Sequence, residues 1–358
     1  MNSFALYRLP HFHHYIKVVQ HGGQPLELSS VADLNGRKGF VLAPFSPTPS
    51  HPILLLQPDE VEQIEFPIGT HNPYKHLENA ENEEDKKRYA TIFERFHEQL
   101  EHGNFRKIVL ARSSEINLQS SLPAEELFIQ ACQRYPHMMV VLVYTPKSDM
   151  WLMATPEILL KGDGLEWHTM ALAGTMQLDA SQMDFDNPPH PGEAEQIRWS
   201  QKNIQEQRYV ARYIEDCLRK HGAEFNEEGP YTTRAANLVH LRSNFHFRLP
   251  QTKKLGELLD SLHPTPAVCG IPKDICRQFI IDHEAHPRGY YSGFVGPIDT
   301  QGETHLYVSL RCMQIQNNQY RLYAGGGLLA DSICEQEWKE TEAKMDTMKG
   351  LLYDNTTE

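Results

Sequence analysis

Two stretches with helical spacing carry oxygen-bearing side chains on one face. In one, Asn203 and Glu206 stand three residues apart; in the other, Glu337, Glu340 and Lys344 follow at intervals of three and four. Ahead of the second stretch lies Gly325 to Gly327, a run expected to form a turn between a strand and a helix, where the backbone can approach a ligand unobstructed. Two such helices could hold one Mg²⁺ between them, because that ion takes one or two carboxylates together with water and an anionic substrate. A solvated face with a Glu340–Lys344 ion pair explains the second helix without a metal.

Other residues could complete a site. In FRKIVLARSSEI, Lys107 alternates with Val109 and so faces either a protein interior or, if the strand is an edge, solvent. Glu157 follows Thr155 and Pro156 at a strand end, where proline fixes the backbone that presents the carboxylate, or where the chain simply turns. Gly174 and Thr175 in MALAGTM offer backbone and hydroxyl donors to a carboxylate. Arg311 sits in LYVSLRCMQI, which reads as one alternating strand.

The elements that must position these groups can be read from periodicity. Helices are expected over 82–102, with Tyr89, Ile92, Phe93, Phe96 and Leu100 inward, and over 123–134. Another covers 193–220, with an apolar stripe through Ile197, Ile204, Ala211, Ile214 and Leu218. The C-terminal helix starts at Asp331 or Ser332, with Glu335 closing a capping box and Trp338, Met345, Met348 and Leu352 inward. Residues 69–86 read as an exposed connection inside one domain, and 181–192 as a loop. The helix TKKLGELLDSL stops at His263, Pro264, Thr265 and Pro266.

A chain of 358 residues can bury a large core, and a formal charge of −13 argues against nucleic-acid or anionic-membrane partners. The six cysteines have neither CxxC nor zinc-ligand spacing and read as reduced thiols. With neither a signal-peptide layout nor an apolar run of membrane length, a soluble cytoplasmic protein is expected, monomeric by default. His11, His13 and His14 are a polar cluster near the terminus, read as surface or as a metal site. The absence of GK[ST] and GxGxxG argues against a nucleotide-binding enzyme.

The segments FRKIVLAR, ATPEILL, MALAGT, KNIQEQRYV, LVHL, LHPTPAVCGIPK, RGYYSGFVG, SLR and AGGGLLADSICEQEWKETEAK occur in order between about residues 104 and 348, some two thirds of the chain. Together they resemble a chorismate-utilising enzyme, related to anthranilate synthase component I, and specifically an isochorismate synthase. The resemblance implies an α/β (α+β) fold: a single large domain of two facing, mainly antiparallel β-sheets flanked by helices. Residues 1–85 would be its variable N-terminal part and 86–358 the chorismate-binding catalytic part.

The same resemblance implies that water adds at carbon 2 of chorismate while the carbon 4 hydroxyl leaves. Lys107 would be the general base and Glu157 the general acid. Glu206 and Glu340 would bind Mg²⁺, with Glu337 and Asn203 supporting. Gly174 and Thr175 would hold the ring carboxylate, while Tyr291, Arg311 and the backbone near Gly325 and Gly327 would hold the enolpyruvyl carboxylate. Lys344 would add positive charge, and His263, in the HPTP run shared with isochorismate synthases, would line the substrate site. Menaquinone biosynthesis is the favoured role, with siderophore synthesis as the other. A salicylate synthase, or a non-catalytic anion- or metal-binding protein, is the alternative. The chain departs from its relatives at Gln207, where a histidine is usual, at Met176, Gln177 and Leu178, and in AGGG where AGAG is common.

Overall fold

Alternating strands rich in Val, Leu, Ile and Met build two sheets whose inner faces pack on each other. The computed structural model describes residues 2–66, 83–177, 198–235, 238–250, 254–300 and 302–353. Among these, each sheet has nine strands, and neighbouring strands run antiparallel. The first sheet runs in the order Gly270–Ile271, Lys107–Asn117, Gln319–Leu328, Cys312–Gln316, Asp149–Thr155, Met139–Thr145, Ser3–Arg8, His14–Gln20, Glu60–Glu65. The second runs Glu224–Ala235, Leu238–Arg248, Trp167–Gln177, Ile158–Gly162, Thr304–Val308, Phe294–Asp299, Lys38–Ala43, Ile53–Leu56, Leu26–Leu28. Strands from the first 65 residues thus complete both sheets.

Between the sheets, Val141, Trp151, Met153 and Tyr323 of one meet Phe40, Leu42, Val295 and Tyr307 of the other. Helices cover the outer faces. Gln201–Lys220 buries Val210, Ala211, Ile214 and Leu218 on the second sheet, and Cys334–Tyr353 buries Met345, Met348, Leu351 and Leu352 on the first. Glu83–Glu101 turns Tyr89, Phe93, Phe96 and Leu100 inward, as its periodicity predicts. Among the described residues, no helix is long and apolar enough to cross a membrane.

Four expectations are corrected. Gly325 to Gly327 form no turn: they lie inside the strand Gln319–Leu328, opposite Ala111, Leu110 and Val109. Residues 306–315 are not one strand. The chain leaves the second sheet at Val308, passes through Arg311 at φ 45° and enters the first sheet at Cys312. The long helix begins at Gln201, not 193, because the Ser200 hydroxyl caps it by accepting from the Asn203 N–H at 3.1 Å. Ile197 and the 181–192 loop lie outside the described residues, as does most of 69–86, and Ile204 is 43% exposed, off the buried stripe. The C-terminal helix begins at Cys334 without the expected capping box. Ser332 instead accepts from the Leu329 N–H and donates to Glu337, while Glu335 pairs outward with Lys86.

Candidate active site

The cleft lies where the chain crosses between the sheets twice. One crossover, after Thr155, carries Glu157; the other, after Val308, carries Arg311. Backbone hydrogen bonds tie them together: Val308 donates to the Glu157 carbonyl at 2.9 Å and Ala154 to the Arg311 carbonyl at 3.0 Å. Glu157, Gly174, Thr175, Glu206, Tyr291, Arg311, Gly325, Gly327 and Lys344, all expected from sequence, line this one cleft.

Lys107 reaches it from the strand Lys107–Asn117, fully buried, and pairs with Glu206 at 2.9 Å. That settles its direction: the side chain points inward. The triple glycine explains how so much charge fits. A β-carbon on Gly327 would collide with the Glu206 carboxylate, one on Gly326 would lie 2.9 Å from Glu337 Oε2, and one on Gly325 would lie 2.9 Å from the Tyr291 hydroxyl. The small residues are therefore needed for close approach, although they make no turn.

Each glutamate of the cluster is engaged by a lysine. Lys107 holds Glu206, Lys344 holds Glu340 at 2.6 Å, and Lys202 holds Glu337, which also accepts from Ser332 at 2.8 Å. Burial and the neighbouring Glu340 push the Glu337 carboxyl up to about 7, against Lys202. Burial would raise Glu206 too, but Lys107 and then Lys202 hold it below the ordinary carboxylate range. Hard oxygen donors on two helices suit Mg²⁺, which needs only one or two protein carboxylates. Among the described residues, no three His, Cys, Asp or Glu side chains are grouped to hold a metal ion, and these carboxylates are paired with lysines.

On the facing side, burial pushes the Glu157 carboxyl up to about 8, despite the opposing charges of Lys107, Arg311 and Lys344. That favours the protonated carboxyl at neutral pH. Arg311 is 6% exposed, and its buried Nε has no hydrogen-bond partner among the described residues. An unneutralised buried guanidinium with a free donor is a seat for a carboxylate. Gly174, at φ 73°, occupies an irregularity in the pairing with Leu238–Arg248, where a β-carbon would press on the Asn203 backbone. Asn203 donates to the Thr175 carbonyl at 3.4 Å, joining the helix to this bulge.

Lys107, Glu337 and Glu340 are outside the cleft lining but adjoin it, through Glu206, Gly326 and Lys344 respectively, and a fourth expected residue is elsewhere. His263 is not in the cleft: it ends the helix Leu255–Leu262, its Nε2 lies 3.1 Å from the Pro44 carbonyl, and its ring packs edge-on against Phe294. Burial pulls its pKa down to about 3, so it is a neutral core residue. The segment after it does serve the site, since Ala267 and Val268 line the cleft. Gln207 is buried and donates to Ser243 at 3.1 Å, a structural link away from the cleft.

Two participants went unread. His240 lines the cleft with Nε2 3.0 Å from Arg311 and Nδ1 3.2 Å from the Gly174 carbonyl. Burial, then Arg311 and Lys344, hold the imidazole well below its usual range, so the neutral form with Nδ1–H donating and Nε2 accepting fits both partners. Its signal was a lone polar residue in the apolar run LVHL. Lys202 was missed as well, although it lies four residues before Glu206 on the same helix face.

The chorismate binding enzyme family model matches residues 56–353. Isochorismate synthase DhbC of Bacillus subtilis is 31% identical over 260 residues, 69% of this chain and 63% of that protein. Isochorismate synthase MenF of Escherichia coli is 30% identical over 274 residues, 75% of this chain and 61% of that protein. The matched stretch thus spans less than two thirds of the length of these relatives. The solved structure of MenF, titled as the menaquinone-specific isochorismate synthase from Escherichia coli, superposes with a TM-score of 0.78 at 22% identity, covering 98% of this chain and 89% of that one. With the family model covering most of its length, this chain belongs to the chorismate-binding enzymes.

Proposed function

We propose that this protein is an isochorismate synthase acting on chorismate with Mg²⁺. The observation that carries the reading is the placement of two buried groups of opposite chemistry. Lys107, from one sheet, is paired with Glu206 of the cleft wall, and the proton-bearing Glu157, from the crossover into the other sheet, lines the same cleft.

In this reading Lys107 takes a proton from water as its oxygen bonds to carbon 2 of the ring. The ring double bonds shift, the carbon 4–oxygen bond breaks, and Glu157 gives its proton to the departing hydroxyl, which leaves as water. One proton enters the protein and one leaves, so a later transfer from Lys107 to Glu157 restores the start. Lys107 can act as base only once its pair with Glu206 has parted. Glu206 and Glu340 would hold Mg²⁺, with Glu337 supporting, and the bound ion would offset the ring carboxylate's charge. Arg311 would bind the second carboxylate, steadied by His240. The cleft's free volume is about 50 Å³, too little for a ring compound, so its walls must move apart for chorismate to enter.

Incubation with chorismate and Mg²⁺, followed by chromatography, tests the reading. Isochorismate is the expected product. Salicylate would favour the lyase alternative within the family, and unchanged chorismate would overturn both.

A further inference from the structure

One ion pair outside the reacting groups joins three walls of the cleft. Arg288 and Glu284 are both buried, and the guanidinium grips the carboxylate with two nitrogens, Nε at 2.8 Å and Nη2 at 2.6 Å. Its other donors go to the backbone, Nη1 to the Val268 carbonyl at 2.6 Å and Nη2 to the Val109 carbonyl at 3.0 Å. Glu284 accepts in turn from the Ala111 N–H at 2.7 Å, and the Arg288 carbonyl accepts from the Tyr291 N–H at 3.0 Å. Val109, Val268 and Tyr291 all line the cleft, and Lys107 lies two residues before Val109 on the same strand.

The edge of that strand explains why side chains are needed there. Its neighbour Gly270–Ile271 is short and pairs with Ile108 and Lys107. Further along the same edge the Val109 N–H still finds the Cys269 carbonyl at 2.6 Å, but the Val109 carbonyl and the Ala111 N–H are met by Arg288 and Glu284. The ion pair extends the sheet where the partner backbone runs out, and it satisfies polar groups that would otherwise be buried unpaired. Taking two charges out of water offsets most of their attraction, so such a pair adds little net stability over apolar residues of similar size. What it supplies is geometry. The planar fork of an arginine fixes directions as the single ammonium of a lysine does not, and here it sets the spacing between the Lys107 strand, the loop carrying Val268 and the turn carrying Tyr291.

We propose that Arg288 is a positioning residue for the reaction, holding the strand of Lys107 in register against two other walls of the cleft; this rests on the isochorismate synthase reading. Arg288→Lys keeps the charge and loses the fork, and Glu284→Gln keeps the shape and carries the test if the lysine variant does not fold. Hydrogen exchange read by mass spectrometry should quicken by about tenfold or more in segments 107–111, 264–271 and 288–293 together, with Met139–Thr145 unchanged. Steady-state kinetics with chorismate and Mg²⁺ should show kcat lower by about tenfold to a hundredfold. KM should stay within about threefold of wild type, since Arg311 stands on a different segment. A pair that served stability alone would lower the unfolding midpoint and leave kcat per folded molecule unchanged, and that result overturns the proposal. So does exchange that is unaltered, or that quickens in one of the three segments only. Should the wild-type protein leave chorismate unchanged, the isochorismate synthase reading falls, and exchange alone decides whether Arg288 joins the three walls.

Discussion

The carboxylate of Glu206 fills the space that a β-carbon on Gly327 would take, and the Lys107 side chain lies 2.9 Å from the same point. Gly327→Ala should therefore push apart the pair on which the proposed base depends. The group first met is the end of a flexible side chain, so the fold should tolerate the change, with a melting temperature within a few degrees of wild type. A displacement of about 1 Å at reacting groups can cost on the order of a hundredfold, and kcat/KM should fall by about that much. Gly22→Ala, which meets nothing within 4 Å, should leave the rate unchanged.

Lys107→Gln and Glu157→Gln should each lower kcat by about a hundredfold to ten-thousandfold, the range for losing a positioned acid or base. Steady-state kinetics on variants shown by circular dichroism to be folded would decide this. A wild-type rate in either variant would remove that residue from the mechanism.

The alkaline side of the pH profile should report Glu157. Burial raises its carboxyl to about 8, so the acid is present below that pH and lost above it, and kcat/KM should decline as pH rises through about 8. Stability moves in the same sense. Between the ordinary carboxylate value and about 8 the folded state binds the proton and the unfolded state does not, so unfolding free energy falls as pH rises across that window. In Glu157→Gln this part of the stability slope should flatten, as measured by denaturant titration across the window.

Arg311→Gln should raise KM for chorismate by about tenfold to a hundredfold, the equivalent of one charge-assisted hydrogen bond of about 1.5–3 kcal/mol. Loss of kcat with KM unchanged would contradict a binding role for the guanidinium.

His263→Ala should affect stability and not turnover. It removes a buried ring packed on Phe294 and the contact to the Pro44 carbonyl, at a cost of about 1–3 kcal/mol. Thermal denaturation and KM measured on the same preparation would separate this from a substrate contact.

The legible parts of the sequence were those with strong local periodicity. The helix Glu83–Glu101 lies where the helical repeat places it. The family resemblance supplied the roles; nine of the residues it marked line one cleft, and Lys107 and Glu340 pair with two of them. What failed was decided by tertiary contacts. Residues 306–315 read as one alternating strand, yet Arg311 takes a positive φ and its carbonyl accepts from Ala154 of the other crossover. Gly325 to Gly327 have turn composition, but the need is for space beside Glu206 and Glu337 within a paired strand. His263 and His240 show the converse: two buried histidines in apolar settings, of which only long-range pairing puts one beside Arg311 and the other under Pro44.

Turnover of chorismate by the Mg²⁺-supplemented protein in oxygen-18 water, read by mass spectrometry of the separated product, probes the central claim most directly. If Lys107 delivers a solvent hydroxyl to carbon 2 while Glu157 expels the old one, isochorismate should carry one labelled oxygen and the released water none. Isochorismate without label, or recovery of unchanged chorismate, would contradict the account.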